Sequence, residues 1–129
     1  MKGKAMALSI SELGDRLLES CLDRIECSIE HFQNSQTDEH VRATREIGDC
    51  LSALGTGIEL LLKSMLFNHD WRLIFVKPNI ASESSLFSGD FKSVYYPQAR
   101  KLLANNSIAT IPDSVDSCFE LLHDSTRSQ

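Results

Sequence analysis

The chain has 129 residues, of which 13 are Lys or Arg and 18 are Asp or Glu, so the formal net charge is −5. This acidic balance argues against broad electrostatic binding to nucleic acid, which depends on clustered Lys and Arg. With 42% apolar and 24% charged residues, the composition is that of a globular protein rather than a disordered one. A chain of this length can build a core without disulfides or metals. We therefore expect a single domain over residues 1–129.

The apolar runs and the cysteines predict the cellular location of the protein. No uninterrupted apolar run approaches the roughly 20 residues of a membrane span. Segment 1–8 begins with basic residues, but its apolar stretch is shorter than that of a signal peptide. The four cysteines form neither a CxxC motif nor a zinc-type spacing, which is typical of small core residues in a reducing compartment. The sequence therefore predicts a cytoplasmic protein with no membrane partner, metal or cofactor.

Two long amphipathic helices are predicted in the first half of the chain. The first covers about residues 9–34, where Ser9 and Glu12 have the spacing of a capping box. The second covers about residues 39–68, with Thr37 or Asp38 as its expected cap. The apolar stripe of the first helix recurs at steps of three and four residues: Ile10, Leu13, Leu17, Cys21, Ile25, Ser28 and Phe32.

Two details of the second helix carry further expectations. Gly55 and Gly57 each cost roughly 1 kcal/mol relative to Ala in a helix. We therefore expect a close helix–helix crossing at both positions. Glu59 and Lys63 stand four residues apart and are expected to pair on the solvated side of the helix.

The second half of the chain is less regular. Segment 69–94 lacks a helical period, and we expect it to be an ordered excursion whose aromatic side chains pack back onto the helices. A third helix is expected over residues 96–105, and a fourth begins with Asp113 as its cap. The predicted fold is an all-α, four-helix bundle-like domain with an ordered irregular insertion between the second and third helices. The aromatic residues expected to pack back are Trp71, Phe75, Phe87 and Phe91.

One pair of residues in the first helix suggests chemistry. Arg24 and His31 are seven residues apart, so both side chains can lie on one helix face. An Arg there would hold a phosphate, and a His would move a proton. The alternative is that both are surface residues beside the apolar stripe. No phosphate-binding loop, nucleotide-binding fingerprint or HExxH motif is present.

Two stretches resemble a known family. The stretch from Gly55 to Leu66, followed by Asp70 to Phe75, resembles the central helix of HEPN-type bacterial proteins. The later stretch from Ser88 to Val94, with a helix beginning near Tyr95, resembles the continuation in one branch of that family. The resemblance covers about residues 40–125.

The resemblance implies an all-α bundle that is usually dimeric. Many members of the family are metal-independent RNases of toxin–antitoxin and anti-phage systems. Their site resembles an Arg followed, after four to six residues, by a His late in the chain. Arg127 falls where that Arg would be, and the His would lie beyond Gln129. This chain would then be a shortened or C-terminally truncated member.

Three functional hypotheses follow. The first is a dimerising or partner-binding module of HEPN-like type, without a complete active site, in a defence or toxin–antitoxin setting. Its partners would be a second copy and an antitoxin or another protein. The second is a metal-independent endoribonuclease that binds RNA and completes its site beyond Gln129. The third is an unrelated helical adaptor.

Overall fold

In a computed structural model, the structure describes the backbone of residues 9–127 and the side chains of residues 9–122. Within these residues the chain is helical and has no β-strand, so the all-α prediction is confirmed. The α-helices are α1 (Ile10–Asn34), α2 (His40–His69), α3 (Glu83–Ser88), α4 (Tyr96–Asn105) and α5 (Asp113–Arg127), and two short 3₁₀ helices cover Trp71–Ile74 and Pro78–Ile80.

The two long helices begin at different kinds of cap. At α1 the Ser9 hydroxyl accepts the Glu12 N–H at 3.1 Å, and the Glu12 carboxylate accepts the Ser9 N–H at 3.3 Å, which confirms the capping box. At α2 the expected cap was wrong. Glu39 caps this helix, because its longer side chain turns back to accept the Arg42 N–H at 3.3 Å. Thr37 instead accepts the N–H of Glu39.

Helix α2 is the centre of the fold. Helix α1 lies antiparallel to it, while α4 and α5 also pack on α2. Among the described helices, α1 packs extensively on α2 and on no other helix. A four-helix bundle is therefore not confirmed, because the shorter helices and α1 do not share one central axis.

The α1–α2 crossing is close at one of the two predicted glycines. A Cβ on Gly57 would lie 3.1 Å from the Ile25 side chain and 3.6 Å from the Cys21 carbonyl oxygen. The expectation for Gly55 was wrong, because a Cβ there would meet nothing within 4 Å. A second close approach occurs at Gly14, where a Cβ would lie 3.0 Å from the ring of Phe67.

The segment between α2 and α4 is ordered and packs onto the helices. Phe75 is buried and stacks on Phe91 with ring centres 4.0 Å apart, and Trp71 meets Phe75 edge-on. The prediction that these three rings pack back is confirmed. The prediction was wrong for Phe87, which is 42% exposed. The neighbouring residue of α3, Leu86, is the one buried in the core.

The expected Glu59–Lys63 pair does not form. The Glu59 carboxylate accepts the Tyr96 N–H at 3.1 Å, and the Lys63 ammonium donates to the Ser93 hydroxyl at 2.9 Å. Both side chains are half-buried, because the segment that leads into α4 covers this face of α2. They therefore hold the start of α4 against α2.

Arg100 joins the last two helices. Its guanidinium donates to the Asp113 carboxylate at 3.0 Å and to the Ile111 carbonyl oxygen at 3.3 Å, and it lies 3.5 Å from the Asp116 carboxylate. Asp113 was predicted to cap α5. It is instead the first helical residue, with the Asp116 N–H donating to the Pro112 carbonyl oxygen.

Among the helices of residues 9–127, α2 alone is long and apolar enough to cross a membrane by length and composition. This is weak evidence, since the central helix of a soluble core passes the same test. The absence of a membrane partner stays a prediction.

The crossing predicts opposite behaviour for two glycines of one helix. Gly55→Ala adds a methyl group in open space, so we expect it to raise the free energy of unfolding by about 0.5–1 kcal/mol through helix propensity. Gly57→Ala places its methyl group against Ile25. We therefore expect the free energy of unfolding of Gly57→Ala to be at least about 1 kcal/mol lower than that of Gly55→Ala. Urea unfolding of both variants measures this difference. Equal stabilisation by the two substitutions would contradict the close crossing.

Candidate functional site

The structure places Arg24 and His31 two turns apart on α1, about 10 Å along the helix axis. His31 is half-buried, and its Nδ1 lies 2.5 Å from an oxygen of Glu46 on α2. Arg24 is exposed, and among the described side chains its guanidinium has neither a hydrogen bond nor an ion pair. Its Cβ packs beside Gly57. A shared phosphate site for the two residues stays a prediction.

Arg127 lies in the last turn of α5, and its side chain falls outside the described part of the chain. His123, four residues earlier on the same helix, also falls outside it. The proposed role of Arg127 in an Arg and His site therefore stays a prediction as well.

Three residues near the end of the α1–α2 pair where the short loop joins the two helices can hold a divalent metal. The ligand atoms of His31, Glu46 and Asp49 all lie within 4.8 Å of one another. One imidazole nitrogen and two carboxylates suit Zn²⁺ and similar ions. Sequence reasoning missed this group because the ligands come from two helices, and only the register of the pair brings them together. The prediction of a protein without metal stays a prediction.

A cleft of about 760 Å³ lies between α2, α4 and α5. Tyr96 lines it with only 3% of its surface exposed, and its hydroxyl makes no hydrogen bond of ordinary geometry to any described atom. Burial raises the pKa of Tyr96 to about 12, and the nearby Asp116 carboxylate acts in the same direction. The lining residues are Glu59, Tyr95, Tyr96, Pro97, Arg100, Lys101, Asp116, Phe119 and Glu120.

No sequence pattern indicates this cleft. In the sequence, Tyr95 and Tyr96 predict only the start of a helix, and Glu59 only half of a surface ion pair. The cleft forms because residues nearly 40 positions apart, such as Glu59 and Tyr96, meet across two helices.

The described cysteines do not form a reactive site. Burial raises the pKa of the Cys21 and Cys50 thiols, which lowers the fraction of nucleophilic thiolate. All four cysteines are free thiols. This agrees with the prediction of small packing residues for Cys21, which is fully buried, but Cys118 is exposed.

Large apolar side chains stand exposed along one side of the α1–α2 pair. The contact of Cys21 with Gly57 puts Leu18 level with Leu61. Because successive residues of a helix are 100° apart, the exposed apolar residues of α1 and those of α2 lie on the same side of the helix pair. We call this surface the hairpin face, and its members are Leu18, Leu22, Ile29 and Phe32 of α1 with Ile47 and Leu61 of α2.

Comparison of the chain with protein-family models, curated proteins and solved structures finds no match.

The buried phenol of Tyr96 has a measurable signature. The chain contains two tyrosines, so Tyr95→Phe leaves Tyr96 as the only one. We expect its ultraviolet tyrosinate titration to have a midpoint near pH 12, against about 10 for an ordinary tyrosine.

The sign of the effect on stability follows from the same shift. The folded chain holds the phenolic proton more tightly than the unfolded chain does. This contribution to stability is therefore complete below about pH 10 and is lost as the pH rises towards about 12. A midpoint near pH 10 in the folded protein would contradict the burial of Tyr96.

Proposed function

We propose that this chain is a helical dimerising module that pairs with a second copy of itself through the hairpin face. The observation that carries the proposal is the continuity of this apolar surface over both long helices. Leu22, Ile29 and Phe32 are each more than 50% exposed. From Leu18 to Phe32 the row is about 20 Å long, and two helices side by side make the face roughly 400 Å². This is the size of the largest apolar patch on a typical soluble monomer, and such patches are often functional.

The spacing of the row on α1 suits a copy of the same helix. Leu18 lies seven residues before Ile25, and Phe32 lies seven residues after it. Leu22 lies three residues before Ile25, and Ile29 lies four residues after it. Antiparallel pairing about a two-fold axis at Ile25 therefore sets Leu18 against Phe32 of the partner subunit. Such self-complementarity is what an isologous dimer interface requires.

The resemblance to HEPN-type bacterial proteins supports a dimer and suggests a cytoplasmic setting in defence or in a toxin–antitoxin system. In that setting an antitoxin or another protein would bind the assembled dimer. We propose the module first, because the hairpin face that supports it lies among the described residues.

The hairpin face predicts the oligomeric state. Light scattering after size exclusion should give the wild-type chain twice the mass of a monomer. Leu22→Glu should give a folded monomer, because a buried charge at the centre of the interface opposes pairing, while a glutamate at this exposed position is tolerated in the single chain. A monomeric wild-type chain at high micromolar concentration would overturn the proposal.

A control variant sharpens this experiment. Ile80→Glu changes an apolar residue that is 68% exposed and lies away from the hairpin face, and it should leave the dimer intact.

The endoribonuclease alternative predicts a different result. The dimerising module should leave total RNA intact in the presence of a metal chelator. Cleavage that is lost in Arg127→Ala would replace the module with an enzyme using the late-helix site. Cleavage that is lost in both Arg24→Ala and His31→Ala would assign the activity to the pair on α1.

A further inference from the structure

The Tyr96 hydroxyl lies close to the Asp116 carboxylate, which helps to raise its pKa, but it forms no hydrogen bond of ordinary geometry to any described atom. Its ring is buried and stacks on Phe119 with centres 3.8 Å apart, a contact that a phenylalanine would make equally well. A buried hydroxyl without a hydrogen bond costs stability, and nearly all buried polar side chains in native proteins have a partner. Because Tyr96 lines the cleft between α2, α4 and α5, a molecule bound there can supply the missing partner.

The charges of the cleft favour a cationic molecule. Its lining holds three carboxylates, on Glu59, Asp116 and Glu120, against two cations. One cation is the guanidinium of Arg100, which is already paired with Asp113 and Asp116, and the other is the ammonium of Lys101. Glu59 uses one oxygen to accept the Tyr96 N–H, which leaves the other oxygen without a partner among the described residues. The net charge of −5 on the whole chain adds to the attraction.

The apolar part of the cleft favours a carbon chain that carries the cation. Tyr95 is 66% exposed at the wall, and Phe119 and Pro97 complete the surface. An aromatic face attracts cations, and the Lys63 ammonium already lies 5.8 Å from the Tyr95 ring centre. The volume of about 760 Å³ is within the range of small-molecule sites.

We propose that this cleft binds an alkylguanidinium or alkylammonium group. The cation lies among the Glu59 and Glu120 carboxylates, an N–H of the cation donates to the Tyr96 hydroxyl oxygen, and the methylene chain packs on Tyr95. The group can come from a free small molecule or from an arginine side chain of a peptide, because both carry the same chemistry. The hairpin face lies on another side of α2, so this inference does not depend on the dimer.

Three probes test the proposal by isothermal titration calorimetry on the full chain. Agmatine represents a free cation, N-acetyl-arginine amide represents a peptide side chain, and N-acetyl-citrulline amide is its neutral counterpart of equal size. We expect the arginine amide or agmatine to bind at least tenfold more tightly than the citrulline amide. The tighter of the two cations then identifies the source, and either order supports the site.

Variants separate a binding role from a structural one. Tyr96→Phe should weaken binding of the cation about tenfold and leave the chain as stable as before or more stable, because it removes an unpaired buried hydroxyl. Glu120→Gln should weaken binding a few-fold, and the matched substitution Glu83→Gln on α3, away from the cleft, should have no effect.

Two outcomes would overturn the proposal. One is equal affinity for the arginine and citrulline amides, or no binding of any probe at millimolar concentration. The other is a Tyr96→Phe variant that binds the cation as well as the wild type. The oligomeric state of Leu22→Glu is measured separately, so a failed cleft and a failed dimer can be told apart.

Discussion

The close packing of α1 on α2 is the contact on which the rest of this structure depends. Gly57 lets the backbone of α1 at Cys21 approach α2, and Gly14 makes room for the ring of Phe67 near the other end of the pair. These contacts set which residues of the two helices stand level with each other. The register in turn brings His31 to Glu46. It also aligns the exposed apolar rows on one surface.

Helix α2 serves two surfaces of different chemistry. Beside α1 it carries an apolar strip that the described residues do not cover, and towards α4 and α5 it contributes to a cleft with carboxylates and aromatic rings. Glu59 belongs to the second surface, where it accepts the N–H of Tyr96 and so fixes the start of α4. The separation of the two surfaces would allow the proposed dimer and the proposed ligand site to exist together.

Local patterns were read correctly where the local sequence decides the outcome. The bounds of α4 and the capping box at Ser9 follow from residues within one turn of the helix end. Errors arose where a distant residue competes for a side chain. Lys63 looked like a partner for Glu59, but Ser93 from the insertion takes its ammonium. Likewise Asp113 looked like a cap, but Arg100 takes its carboxylate.

The sequence by itself determined the helical class and the lengths of the long helices, because amphipathic period and capping act within a few residues. It also showed Arg24 and His31 on one helix. Only the tertiary structure decided which apolar residues stay uncovered and that Tyr96 lines a cleft with its hydroxyl unpaired. These features depend on how α1, α4 and α5 share the surface of α2. Such contacts join residues far apart in the chain, and no local pattern encodes them.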